Sequence, residues 1–281
     1  MEIVQFFASA KVLQICADSH IVETGYFALD EHILCLSCQV GCPLACRFCA
    51  SGKPIGFPKP KSFERNLSSA EIVEQARNVI NCIPKAKNDS RKLLFSYAGS
   101  GEPFLNYANV LQSIRALNHS FPNSRTTIFT TGVLPRKMRT LAREDFQGVL
   151  KLHLSLHAPN DALRKQFMPN AGKIKPALEA LNYFSQQRHV RAKVNYSLIQ
   201  NVNDSEEHAL ELAELLQSYS FTVTLSCFNT NANGFKPSTE EKFLLFEKML
   251  KEKGIPTERF RSSGTELGAG CGQLKRHFLT A

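Results

Sequence analysis

Between Cys35 and Gly52 the chain reads CLSCQVGCPLACRFCASG, and within it Cys42, Cys46 and Cys49 form a C-x3-C-x2-C run flanked by Gly41, Pro43 and Gly52. Thiolates are soft ligands, and three of them in one tight loop suit a single metal centre. Such a set leaves one position of a tetrahedral ion, or one iron of a four-iron cluster, without a protein ligand. Iron-sulfur clusters are held by cysteines in loops of this kind. Structural zinc asks for a fourth Cys or His, for which His32 and Cys38 are the candidates. The run therefore predicts an iron-sulfur cluster first and zinc second, with unliganded thiols as the remaining alternative.

The elements that position this loop follow from periodicity. VLQIC (12–16) and IVETGYFAL (21–29), separated by ADSH, suit a hairpin, and ILCLS (33–37) is a buried strand running into the cysteine loop. Ser68-x-x-Glu71 is a capping box, followed by Ile72, Val73, Ala76, Val79, Ile80 and Ile83 at helical spacing. Strand and helix then alternate: 92–97 with 106–119, 126–131 with 135–145, 150–157 with 173–188, 192–199 with 204–217, and 222–227 with 239–253. Six strands alternating with helices predict a parallel sheet wound with right-handed crossovers. An open sheet and a partial barrel share this pattern.

Two strands carry more information. Leu150, Leu152, Leu154 and Leu156 share one face of 150–157, and Lys151, His153, Ser155 and His157 the other. In 192–199 Ala192, Val194, Tyr196 and Leu198 alternate with Lys193, Asn195 and Ser197. A parallel strand covered on both faces is apolar throughout, so a polar face predicts a ligand-holding cavity, with the chemistry at the C-terminal strand ends as in (β/α) barrels. Gly99-Ser100-Gly101-Glu102-Pro103, Thr131-Gly132, His157-Ala158-Pro159-Asn160 and Asn229 all fall at such ends and share a rim with the cysteine loop. The Gly-rich segment 258–277, ERFRSSGTELGAGCGQLKRH, is predicted to fold over the mouth.

Composition bounds the function class. At 281 residues, 43% hydrophobic and 21% charged, the chain is an ordinary globular protein, expected to form a single domain. Without an apolar run long enough to span a bilayer, and with Glu2 where a signal peptide would be basic, it is expected to be cytoplasmic, monomeric and without a membrane partner. Nine cysteines, an odd number, do not make a disulfide framework in that compartment. A net charge of +9 favours an anionic partner such as nucleic acid.

The motifs SCQVGCPLACRFCASG, GSGEPFLN, LSLHAPNDALR, QNVNDSEEHALELAELL and GAGCGQL, in this order, resemble the RlmN/Cfr family of RNA methyltransferases within the radical S-adenosylmethionine (SAM) superfamily. That resemblance spans roughly residues 20–277 and implies a partial (β/α)6 TIM-like barrel, with 1–30 as a β extension and 31–281 as the core with its C-terminal tail. It implies that Cys42, Cys46 and Cys49 bind a [4Fe-4S] cluster. Gly101 and Glu102 bind the methionine part of SAM, and Ser155, Leu156, His157 and Asn229 line its site. Cys271 is the cysteine that is methylated first. Loss of a hydrogen from its S-methyl group gives a carbon radical that adds to an adenine carbon of rRNA or tRNA, C2 before C8. Cys35 then attacks Cys271 and frees the product as a disulfide forms, with Glu23 resembling the proton acceptor. An external electron donor and a disulfide reductant are further partners. An aromatic C–H is inert to an ordinary electrophilic methyl donor, which is why the hard step falls to a radical cofactor.

Taken without the family, Cys35 is a buried strand residue, Glu102 an exposed loop carboxylate, His157 a core histidine and Asn229 a turn residue. Cys16, Cys38, Cys82 and Cys227 are assigned to core packing. The chain departs from the family at Ile128-Phe129-Thr130-Thr131-Gly132, with Phe129 where the family has a cofactor-contacting serine. About twenty residues precede VETGY, fewer than the family's N-terminal helical domain requires. That shortage motivates an alternative, a radical enzyme acting on protein or a small molecule. A basic RNA-binding protein with a structural metal is the non-enzymatic alternative.

Overall fold

The computed structural model describes residues 2–6, 11–52, 62–82, 92–229 and 234–260. Strands β1 (Glu2–Phe6), β2 (Lys11–Ile15) and β3 (Ile21–Ala28) form an antiparallel meander, and β3 pairs antiparallel with β4 (His32–Cys35). Two short strands follow, β5 (Gln39–Gly41) and β6 (Phe63–Asn66), paired with each other. After helix α1 (Ser69–Cys82) come β7 (Leu93–Tyr97), α2 (Tyr107–Ser120), β8 (Arg125–Thr130), α3 (Pro135–Arg143) and β9 (Val149–Ser155). Then come α4 (Asp161–Phe167), α5 (Ile174–Arg188), β10 (Lys193–Leu198), α6 (Glu206–Leu216), β11 (Thr222–Cys227), α7 (Glu240–Glu252) and β12 (Thr257–Phe260). From β4 to β12 the main sheet is parallel, in the order β4-β7-β8-β9-β10-β11-β12.

The six predicted strand-helix units are present, and so is the predicted polar face. Along β9 and β10 every second residue is buried: Leu150, Leu152 and Leu154 on β9, Val194, Tyr196 and Leu198 on β10. These rows pack in one core with Ile114 of α2, Leu141 of α3, Leu178 and Leu181 of α5, Leu212 of α6 and Phe246 of α7. The helices therefore cover a single face. Lys151, His153, Ser155, Lys193, Asn195 and Ser197 line the other face and stay half-buried. One helix-covered face and one polar face is the arrangement of a partial barrel, whereas a doubly wound sheet buries both. The sheet does not close: β1 and β12 are its two ends.

Three features differ from the sequence expectation. Residues 257–260 pair in parallel with β11, so the C-terminal segment begins as an edge strand; its half-polar TERF sequence gives no apolar signal. The strand predicted over 150–157 ends at Ser155, and His157 lies in the left-handed region at φ 56°. The short helix α4 was not expected. Cys16 and Cys38 are buried as assigned, but Cys82 and Cys227, each the last residue of its element, are exposed. The predicted tail over the mouth lies outside the described residues. Among the described residues no helix is long and apolar enough to cross a membrane.

The meander is bolted to the core by a buried polar network rather than by apolar contact alone. Gln75, fully buried on α1, donates to Ser37 O at 2.9 Å and accepts from Ser37 N–H at 3.0 Å and Thr24 Oγ1 at 3.1 Å. Gln14 of β2 donates to Thr24 Oγ1 at 2.9 Å and to Gln75 O at 3.2 Å. Replacing Gln75 by leucine strands the Ser37 amide and carbonyl in an apolar interior. The expected cost is about 3 kcal/mol, read as a lower denaturant midpoint; a loss below about 1 kcal/mol would show that the network does not anchor this end of the sheet.

Candidate active site

The cysteine loop leaves the sheet where β4 ends and is fixed at its base by the loop after β7. Cys38 N–H donates to Ser100 O at 2.9 Å, and Ser100 N–H donates to Ser37 Oγ at 3.0 Å. Asn106 Nδ2 reaches Cys38 O at 2.8 Å and Leu67 O at 2.7 Å. Further out, Cys42 N–H donates to Ser62 O at 2.7 Å and Arg47 N–H to Phe167 O at 2.8 Å, while Asn170 Nδ2 donates to Pro43 O at 3.2 Å. The three thiols sit among Leu44, Phe48, Ala158, Phe167 and Met168. Phe48 meets His157 edge-on at 5.3 Å and Phe228 at 6.3 Å, closing the apolar wall.

Burial pushes the Cys42 thiol up to about 12, and the neighbouring Cys49 adds to the rise. Cys46 is pushed well above the ordinary thiol range for the same reasons, with Arg164 acting in the opposite direction. Cys42 and Cys46, raised by burial and by neighbouring thiols, belong to a donor set that favours positive charge, which a metal centre would supply by taking the thiols as thiolates. Among the described residues no three His, Cys, Asp or Glu side chains converge closely enough for one ion. A cluster in which each thiolate takes its own iron spreads the sulfurs more widely, so these residues fit an iron-sulfur cluster better than zinc. His32, the alternative fourth ligand, lies at the opposite end of β4 with Nδ1 at 2.8 Å from Tyr26 Oη. Cys38, the other alternative, lies under Gly101, where a Cβ would come within 2.8 Å of its Sγ.

Glu102 is not the exposed carboxylate that its loop position suggests. It is 2% exposed, and its oxygens accept from Thr130 Oγ1 at 2.6 Å, Thr131 Oγ1 at 3.0 Å, Thr131 N–H at 2.9 Å and Phe104 N–H at 3.2 Å. Burial raises its pKa even against these four donors. All four donors are neutral and the nearby Arg164 is engaged by backbone carbonyls; an ammonium brought to the carboxylate would favour its charged form. Gly101 precedes it at φ 110°, with Gln39 and Cys38 too close for any side chain.

The residue that ties the rim together was not singled out from sequence. Arg164 on α4 is 2% exposed, and its guanidinium donates to Leu156 O at 3.0 Å, Ser155 O at 2.8 Å, Thr131 O at 2.9 Å and the carbonyl of Gly172. It thus joins the ends of β8 and β9 to the loop before α5. Burial pulls it down to about 10, opposed by the nearby Cys46, Asp161 and Glu102. Its signal lay in Asn160 and Phe167: the Asn160 side chain caps α4 by accepting from Leu163 N–H at 2.9 Å, and Phe167, three residues after Arg164, is the apolar anchor of the same helix face. Arginine is ordinarily read as a solvated residue, which hid it.

Arg164 holds Ser155 and Leu156 by their carbonyls, so the side chain of Leu156, fully buried in the main core, does not point to the rim. His157 Nδ1 accepts from Ser197 N–H at 3.0 Å, and its carbonyl accepts from Asn203 Nδ2 at 2.7 Å. Burial lowers its pKa to about 3, so it is a neutral imidazole. Asn229 follows β11 directly and neighbours Phe228, which packs on Phe48 of the cysteine loop. Phe129 lies on the polar face against His153, ring centroids 4.7 Å apart.

Glu23 and Cys35 come together through register. Cys35 pairs with Gly25, and Glu23, two residues from Gly25, lies on that same face. Thr24 points to the opposite face, where it meets Gln75 of α1. Cys35 also pairs in parallel with Ser96, so its side chain shares the polar face on which Ser96, Thr127 and Lys151 follow in register. Cys271 lies outside the described residues. Replacing Arg164 by methionine is expected to destabilise the protein by at least about 3 kcal/mol, since several buried carbonyls lose their donor. Lysine, a point charge without the planar fork, should rescue only part of this in the same denaturation experiment.

Comparison with known proteins agrees with this geometry. The sequence profile of the radical SAM superfamily matches residues 36–213. The chain is 36% identical over 275 residues to a protein of Thermotoga maritima named "Probable dual-specificity RNA methyltransferase RlmN", covering 95% of this chain and 76% of that one. It is 37% identical over 253 residues to the protein of the same name from Carboxydothermus hydrogenoformans, covering 88% and 70%. Among solved structures, a radical SAM methyltransferase from Sphaerobacter thermophilus superposes with a TM-score of 0.84 at 34% identity, covering 97% of this chain and 80% of that one. With the three-thiol loop, the buried Glu102 and the one-sided helix layer in place, the chain belongs to the RlmN family of the radical SAM superfamily.

Proposed function

We propose that this protein methylates an adenosine carbon of rRNA or tRNA, C2 rather than C8, by way of a methyl group carried on Cys271. The observation that carries the proposal is the shared face of Glu23 and Cys35, on the sheet whose strand ends hold the three-thiol loop and Glu102. The relatives' names, which specify RNA methylation, support the substrate class. The chain acts as one catalytic unit, with 1–30 as an edge extension and 31–281 as the core.

When bound, the cluster and SAM supply a 5'-deoxyadenosyl radical from the cofactor that an external donor has reduced. Cys42, Cys46 and Cys49 hold the cluster. Glu102 would accept from the ammonium of the cofactor's methionine part, Gly101 would let that part approach the backbone, and Ser155, His157, Asn229 and, through its backbone alone, Leu156 would border it. The neutral His157 keeps that border free of competing positive charge. Cys271 would first take a methyl group on sulfur from one SAM, one hydrogen atom of that methyl would pass to the 5'-deoxyadenosyl radical from a second, and the resulting carbon radical would bond to the adenine. Glu23 takes the proton that the adenine carbon gives up. The adduct's unpaired electron would pass back to the external electron carrier, and the Cys35 thiolate would attack the Cys271 sulfur; an S–S bond forms, the S–C bond breaks with its electron pair on carbon, which takes up a proton to become the methyl group, and a reductant restores both thiols.

Total RNA from a deletion strain, compared by mass spectrometry with wild type, is expected to lack one methyladenosine, whose position separates C2 from C8. If no methyladenosine is lost, RNA is not the substrate, and the protein or small-molecule alternative takes its place. In anaerobically reconstituted protein, Cys35→Ala is expected to remain covalently joined to RNA, and two cofactor molecules are consumed per methyl transferred by wild type. Full methylation by Cys271→Ala would rule out the two-cysteine route.

A further inference from the structure

Positive charge on this chain is not spread evenly, and its ion pairing is less even still. Away from the rim many basic side chains are paired, among them Arg65 with Asp18 and Glu71, Arg125 with Glu31, Lys193 with Glu258, and Arg259 with Glu240 and Glu247, while others such as Arg77, Lys92 and Lys236 are not paired among the described residues. Around the ends of β8 and β9 the pattern reverses. Arg47, Arg136, Lys137, Lys165, Lys173 and Lys175 are all exposed, and none of them pairs with a carboxylate among the described residues.

Hydrogen bonds and close backbone packing hold these six together at the mouth. Arg47 belongs to the cysteine loop itself, and its N–H is bonded to Phe167 O at the end of α4, two residues beyond Lys165. Arg136 and Lys137 are in the first turn of α3, and Lys173 and Lys175 flank the start of α5. The two helix starts touch, because a Cβ on Gly172 would lie 1.9 Å from the Gly132 carbonyl and one on Gly132 would lie 2.4 Å from Ala177 Cβ. Asn170 reaches Pro43 of the cysteine loop at 3.2 Å. One carboxylate, Asp161, stands at this border, and its Oδ1 is engaged by Ile174 N–H at 2.9 Å.

The next stretch of rim has the opposite sign. Helix α6 carries Glu206, Glu207, Glu211 and Glu214 without a single Lys or Arg, and α7 opens with Glu240, which pairs with Arg259, Glu241, and Lys242, which pairs with Asp204. The mouth is thus polarised: unpaired cations on the α3–α5 side, carboxylates on the α6–α7 side. A polyanion threading a nucleotide into this mouth gains counterion release over the first side and meets repulsion over the second.

We propose that the sugar-phosphate backbone of the RNA lies across the starts of α3 and α5 and the Arg47 turn, and is turned away from α6 and α7. The proposal rests on the RNA reading above and adds the side from which the substrate enters. This face touches phosphates and contributes affinity and orientation without reading bases.

The test uses anaerobically reconstituted full-length protein and a fluorescently labelled stem-loop RNA with adenosines in its loop, with affinity measured across a salt series. In the variant R136Q/K137Q/K173Q/K175Q the slope of log K against log salt should fall by about 3, at about 0.7–0.9 for each phosphate that is no longer neutralised. Affinity at about 0.15 M salt should drop at least about tenfold. The control K242Q/K248Q/K251Q/K253Q removes equal charge along α7, mostly at its end away from the mouth, and should leave the slope within about 1 of wild type. Equal loss in both variants, or an unchanged slope in the first, overturns the docking face while leaving RNA as substrate. Wild type that takes up no RNA overturns the RNA reading and the face with it. Circular dichroism and the cluster absorbance report folding. If the quadruple variant does not fold, the single changes R136Q and K175Q should each lower the slope by about 0.7–0.9, and no change in either overturns the proposal.

Discussion

A loop that presents three thiols to one centre cannot hold its own shape, because sulfur ligands repel as thiolates and offer little as thiols. The constraint on this protein is to clamp such a loop from outside, in a site dry enough for radical chemistry. It is met by backbone hydrogen bonds between Cys38 and Ser100, between Cys42 and Ser62, and between Arg47 and Phe167. Each clamp comes from a different element, so the loop keeps its position only while the ends of β4, β7 and β9 stay in register.

That requirement explains two buried charges that would otherwise be liabilities. An ionised side chain out of water is tolerated only when its hydrogen bonds are met and opposite charge is near. Glu102 meets the first condition with four neutral donors from the ends of β7 and β8, and its carboxylate is electrostatically completed by a cation brought to the site. Arg164 meets it with four carbonyls and has the carboxyl groups of Asp161 and Glu102 nearby. The pair forms a buried frame, with the Glu102 carboxyl at the ends of β7 and β8 and the Arg164 guanidinium beside the cysteine loop.

The division of the sheet into an apolar and a polar face connects this frame to function. Helices shield the apolar face completely, which leaves Cys35, Ser96, Thr127, Phe129 and His153 to line the other. The mouth above that lining is itself polarised, basic beside α3 and α5 and acidic along α6. The same fold therefore keeps three groups apart in space: the three thiols of the cysteine loop, Cys35 on the polar face, and the exposed cations at one side of the rim.

Much of this was legible in the sequence. The three-thiol loop and the strand-helix alternation are local patterns, set by spacing and periodicity, and Ser68 and Glu71 cap α1 as their four-residue motif requires, with Ser68 N–H at 2.8 Å from the Glu71 carboxylate. The alternation of leucines with Lys151, His153 and Ser155 announced a polar face for the same reason. What spacing does not encode is proximity across tens of residues. Arg164 meets Thr131 and Gly172 only after β8, β9 and α4 have packed, and Glu102 is buried only because Thr130 and Thr131 arrive from the next strand. Glu23 and Cys35 share a face because β3 and β4 pair in one register, and a shift by one residue would have turned one of them to the helices. Residue types along the chain determined which chemistry was available; long-range pairing alone decided which of those groups meet.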